Sequence, residues 1–207
     1  MRESDSATLM TEGSIWKKIT FFAVPIFLGN LFQQMYNTAD SLIVGNFLGS
    51  NALAAVSSSG NLIYLMIGFF NGIALGAGAV IARYFGARDQ ENVEKAVHTT
   101  VAFGIVASIV LTIVGVFFAP QILVWMQTPA NVMPESTEYF RVYFMGSAGF
   151  VMYNMFVGIL QAVGDSKHPL YYLILSSIIN VVLDIVFITV FDMGVGGAAF
   201  ATDISQV

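Results

Sequence analysis

Cysteine is missing from this sequence altogether. That excludes disulfide staples, thiolate metal centres and cysteine nucleophiles at once. Charge is nearly as scarce, at 10% of 207 residues, against about 25% in an ordinary soluble domain. There is no basic run of the kind that tracks a phosphate backbone, so nucleic acid is set aside as a partner. His98 and His168 lack the partner spacing of a metal site. No glycine loop precedes a lysine as in a phosphate cradle, and no nucleophile elbow is present. The chain therefore reads as something other than an enzyme, with no cofactor.

What remains is apolar: 57% of the residues are hydrophobic. A surface of that composition is suited to lipid, which makes the lipid bilayer the first partner. Charge-free stretches run over 19–39, 41–82, 96–134, 142–164 and, with His168 neutral, 168–183. About 20 mainly apolar residues cross the hydrocarbon as a helix. The expected spans are 15–45, 52–84, 92–118, 135–163 and 169–191, with a sixth starting near Gly194 and cut off at Val207. Residues 1–13 read as a short polar tail, and 14–207 as one transmembrane lobe. Ser14 is placed to cap the first helix, and Pro25 to kink it. Pro120, Pro129 and Pro134 mark the break before the fourth span. Runs such as 105–118 are apolar on every side, which suits helices and not the alternating strands of a barrel. Gly68, Gly72 and Gly76 predict a flat seam where a neighbouring helix backbone approaches closely.

Lys and Arg set the expected orientation. Arg2, Lys17, Lys18, Arg83, Arg88, Lys95 and Lys167 fall on one side, and only Arg141 on the other. The excess predicts a cytoplasmic N-terminus in a multi-pass protein of the plasma (inner) membrane.

Polar residues inside the spans carry the functional signal. Asp40 and Asp184 interrupt apolar helices, and an acid at mid-membrane costs at least ~3 kcal/mol unless it faces a cavity or a partner. At about 1.5 Å per residue, Asp40, Asp184 and Thr202 lie roughly 12–13 Å below the outer surface, with Tyr139 at about 7–8 Å. Gln33, Asn37 and Asp40 form a stripe on the first helix that Asn30 extends, and Ser176, Asn180 and Asp184 form one on the fifth. Asn154, Gly158 and Gln161 share a face on the fourth. Such stripes are expected to face the bundle interior. Two carboxylates, an amide and a hydroxyl in a semi-dry pocket suit a small hard cation, and equally suit proton exchange.

The chain resembles the multidrug and toxic compound extrusion (MATE) family from about residue 11 onward. The resemblance rests on Ala23-Val24-Pro25, on 33–45, on Leu48-Gly49 with Ala52-Leu53-Ala54, on 79–86, on 158–165, on 180–184 and on 194–206. It implies an all-α membrane protein of twelve helices in two lobes, with this chain as the six-helix N-terminal lobe, its sixth helix truncated. The missing C-terminal lobe would complete it. The implied activity is sodium- or proton-coupled antiport of small organic substrates, often cationic and amphipathic, by alternating access. Alternatives are a lipid-linked sugar flippase of the same superfamily and a non-transporting scaffold or receptor. Carried over residue by residue, Asp40, Asn180, Asp184 and Thr202 form the cation or proton site, including any sodium, with Tyr139 as neighbour. Gln34, Asn37 and Asn154 are implied in the substrate cavity, and Pro25 in a bend of the first helix. Asp203 departs from the pattern, standing where an apolar residue is expected.

Overall fold

A computed structural model describes residues 14–206. The polar tail expected at 1–13 and the terminal Val207 lie outside the described residues. The described chain is helical, with no strand. Helices α1 (Ile15–Phe47), α2 (Ser50–Gly86) and α3 (Gln90–Phe117) are followed by a short α4 (Ala119–Trp125). Then come α5 (Met133–Met145), α6 (Ser147–Ala162), α7 (Lys167–Ile185), a π-helical turn over Val186–Val190, and α8 (Gly194–Ser205). The first three spans and α7 with its π turn are each long and apolar enough to cross a membrane. Helices α5 and α6 together make a fifth such segment, bent by 51° at Gly146. The chain is a multi-pass membrane protein.

The sequence explains the breaks. Gly49, at φ +88°, turns the chain between α1 and α2, a conformation that side chains with a Cβ resist. Asp89 caps α3, its Oδ1 accepting the Asn92 N–H at 3.2 Å and its Oδ2 the Asn92 Nδ2 at 2.6 Å. Those bonds hold the Asp89 carboxyl below the usual range. Pro120 and Pro134 sit in the first turns of α4 and α5, where a missing N–H leaves no bond broken. Ser14 occupies the cap position of α1 but its side chain makes no capping bond. Helix α1 continues through Pro25 as one element.

Helices α2, α3 and α6 pack closely, as do α1 with α7 and α5 with α8. Small residues permit this, but not the ones expected. Nothing lies within 4 Å of where a Cβ would stand on Gly68, Gly72 or Gly76. The close seam is on another face of α2, where a Cβ on Gly158 would stand 2.6 Å from the Ala74 carbonyl oxygen, and one on Gly78 3.0 Å from that of Gly158. Sequence spacing marks a small-residue face without saying which helix meets it. The aromatic core follows the same logic: Phe140 and Phe144 stack at 4.4 Å, and Phe144 fills the space above Gly115.

These contacts predict opposite outcomes for two glycines. Gly158→Ala is expected to destabilise the full-length protein by about 1–3 kcal/mol through overpacking against backbone. Gly68→Ala should be neutral or stabilising, within about 1 kcal/mol, because it adds helix propensity in open space. Thermal unfolding in detergent distinguishes them, and equal losses would contradict the packing described.

Candidate functional site

Four helices bring the polar layer together. Asp184 and Asn180 lie one turn apart on α7 and are wholly buried. Asp40, near the end of α1, is buried against them, and its carboxyl comes within hydrogen-bonding reach of that of Asp184. Thr202 approaches from α8 and Tyr139 from α5, both buried. The amide of Asn180 links two elements once it is oriented so that both its atoms find partners: Nδ2 then donates to Asp184 Oδ2 at 3.0 Å, and Oδ1 accepts the Thr202 N–H at 3.3 Å. The Thr202 hydroxyl donates to the Ala198 carbonyl at 3.1 Å and accepts from Tyr36 at 3.4 Å.

The electrostatics are unbalanced. Asp40 Oδ1 and Asp184 Oδ1 are buried with no hydrogen-bond partner. Two carboxyl groups at such range repel unless a proton or a cation stands between them. The described site contains no Lys or Arg to supply that charge. Among the described residues no group of three or more His, Cys, Asp or Glu side chains is placed to hold a metal ion. A cation here would depend on two carboxylates with neutral oxygens from Asn180 and Thr202.

The sequence expectation divides at this point. Asp40, Asn180, Asp184, Thr202 and Tyr139 converge. The rest of the α1 stripe does not turn into this lobe: Asn30 and Asn37 are exposed and Gln33 is half-buried, and Gln34, implied in the substrate cavity, is exposed beside them. Asn37 Nδ2 donates to Gln34 Oε1 at 3.4 Å on that open face. The correction has a simple cause: α1 packs along α7 at the margin of the lobe, so only its end reaches the interior. Asn154 is half-buried on α6 and donates to the Phe150 carbonyl at 2.8 Å within its own helix. Pro25 is half-buried, fifteen positions before Asp40.

Two tyrosines went unread in the sequence. Tyr36 stands one helical turn before Asp40, which is the signal that marks it. Tyr143 stands one turn after Tyr139, the two rings stacking at 6.2 Å.

Comparison with known proteins shows the family and the fold. The MatE family model matches residues 25–186. The "Probable multidrug resistance protein YoeA" of Bacillus subtilis (strain 168) is 35% identical over 94% of this chain and 43% of its own length. The "Multidrug export protein MepA" of Staphylococcus aureus (strain NCTC 8325 / PS 47) is 24% identical over 93% of this chain and 43% of its own. The crystal structure of MATE in the bent conformation superposes with a TM-score of 0.90 at 29% identity, over 100% of this chain and 45% of that one. The outward-facing conformation of a multidrug resistance MATE family transporter gives 0.89 at 28% identity, over the same shares. The chain thus spans less than half the length of these relatives.

Asn180→Leu is expected to cost about 1–3 kcal/mol, because it leaves Asp184 Oδ2 buried without a partner. Asn154→Ala should stay within about 0.5 kcal/mol, since the Phe150 carbonyl it bonds already belongs to a helix. Chemical unfolding of the two full-length variants in detergent gives the comparison, and a harmless Asn180→Leu would contradict the network described.

Proposed function

Because the chain belongs to the MatE family, we propose that it forms the N-terminal lobe of an exporter that couples inward sodium or proton flow to the efflux of amphipathic, often cationic, organic compounds. The observation that carries this reading is the buried pair Asp40 and Asp184, each with one oxygen unpartnered. Such a pair has a vacancy for one positive charge and no fixed residue to fill it. Asn180 and Thr202 complete the donor set for sodium, while Tyr139 and Tyr36 shield it from the lobe interior. A proton between the two carboxyls serves the same balance.

Alternating access follows from exclusion. The site holds its cation while the outward path is open, and releases it when drug enters from the other side. Occupancy changes the repulsion between Asp40 on α1 and Asp184 on α7, so α1 is the element that moves. Pro25 gives it a point of weakness, since proline removes one hydrogen bond of the helix. The exposed amides Gln34 and Asn37 then line the space between this lobe and a second one, with Asn154 further along the cavity. Residues 14–207 would constitute the lobe, and the excess of Arg2, Lys17, Lys18, Arg83, Arg88, Lys95 and Lys167 over Arg141 supports a cytoplasmic N-terminus with the 84–92 and 163–169 loops on the same side. The flippase and scaffold alternatives gain nothing from this site. A flippase for an anionic lipid-linked sugar would favour Lys or Arg at it.

Asp40→Asn and Asp184→Asn in the full-length protein are expected to lower gradient-driven efflux of a fluorescent cationic dye by about tenfold or more, the scale set by losing support at an ion site. Expression should be unchanged. Imposing sodium and pH gradients separately identifies the ion. Efflux that survives both substitutions would remove the pair from the mechanism.

A further inference from the structure

The fourth span bends by 51° where α5 gives way to α6, and Gly146 is the residue at the bend. At a break in a membrane helix, backbone N–H groups lose their usual acceptor, and lipid offers no other. The Gly146 N–H reaches the Val142 carbonyl only at 3.4 Å, the long limit of a hydrogen bond. The space beside it is filled by Asp203 of α8. A Cβ on Gly146 would stand 1.9 Å from Asp203 Cγ and 2.2 Å from Oδ1. The acid that departs from the family pattern is thus lodged in the notch that a glycine leaves, its carboxyl packed against the Gly146 backbone.

The contact is tied to the carboxylate pair from both ends. Thr202, next to Asp203 in the chain, bonds Asn180 through its N–H. Tyr143, three residues before Gly146, lies in electrostatic range of both Asp203 and Asp40. Tyr139, stacked on Tyr143, lies in range of Asp40 and Asp184. Fixing the bend therefore fixes the face of α5 that covers the pair.

We propose that Asp203 is a positioning residue: by filling the notch at Gly146 with its carboxyl group it sets the bend of the fourth span and holds Tyr139 and Tyr143 against Asp40 and Asp184. The coupling role rests on the reading of that pair as the ion site. The notch is filled by a flat, branched group, which asparagine supplies as well as aspartate. Asp203 acts here by its shape, and carries no transported charge.

The test uses the full-length transporter, with Asp203→Asn, Asp203→Leu and, as control, Asp40→Asn. Dye efflux is measured against concentration of the coupling cation, alongside dye binding. Asp203→Leu is expected to raise the cation concentration for half-maximal efflux roughly threefold to thirtyfold, the range for residues that tune coupling from nearby. Dye affinity should be unchanged, and Asp203→Asn should stay close to wild type. Loss of coupling in Asp203→Asn as deep as in Asp40→Asn would overturn the proposal, because it makes Asp203 a carrier of charge. An unchanged Asp203→Leu would overturn it too. A second measurement needs no variant: hydrogen exchange over 143–149 in the wild type, where a protected Gly146 amide is expected and fast exchange would contradict the contact. Normal coupling in Asp40→Asn would sink the ion-site reading, and the coupling role of Asp203 with it. Exchange at Gly146 would in that case still report whether the contact exists.

Discussion

Two acids facing each other in a water-poor layer dominate the energetics of this lobe. Asp40 and Asp184 come from helices far apart in the chain and meet with one oxygen each unsatisfied. Nothing in lipid compensates such an arrangement. The surrounding groups make sense as responses to it. Asn180 spends its donor on Asp184 and its acceptor on the backbone of α8, which brings Thr202 to the site. The tyrosines of α5 close it on the side of the core. The strain concentrated here is balanced by ordinary packing elsewhere, in the Phe140–Phe144 stack and the glycine contacts between α2 and α6.

Helix α1 has the opposite character. It packs mainly along α7, and many of its apolar and amide side chains are exposed. A helix with one anchored end and a proline in its interior is suited to motion, and its anchor is Asp40 itself. The bent fourth span is suited to staying still: it is wedged between α3 and α8, and a side chain of α8 fills the notch at its bend. The lobe thus sets a helix held mainly along one partner against one held on several sides, with the carboxylate pair between them.

Much of this was legible in the sequence because lipid makes polarity costly. Charge-free stretches located the spans to within a few residues, and the two interior acids located the layer. Depth then selected Thr202 and Tyr139 with them, and the stripe on the fifth span selected Asn180. What the sequence did not reveal was rotation. The glycines at 68, 72 and 76 mark a face of α2, yet the helix it meets is not α6, whose partners are Ala74 and Gly78. Asn30, Gln33 and Asn37 share a stripe with Asp40, yet only Asp40 turns fully inward, because the helix leaves the bundle along its length. Tyr36 and Tyr143 were hidden for another reason: a tyrosine in an apolar run looks like packing until its hydroxyl and neighbours are placed. Asp203 stood out as an acid, but its partner is a backbone group at a bend, and sequence does not show bends that have no proline.

The most direct test of the central claim is to watch the carboxyl groups themselves. Infrared difference spectra of the full-length protein, with and without sodium and across pH, report whether buried carboxyl groups exchange a proton or bind a cation. The account predicts an ion-responsive carboxyl signal that disappears in both Asp40→Asn and Asp184→Asn. A signal that ignores both ions, or survives both substitutions, would show that the pair is a fixed structural feature and not the site where ion flow is coupled to transport.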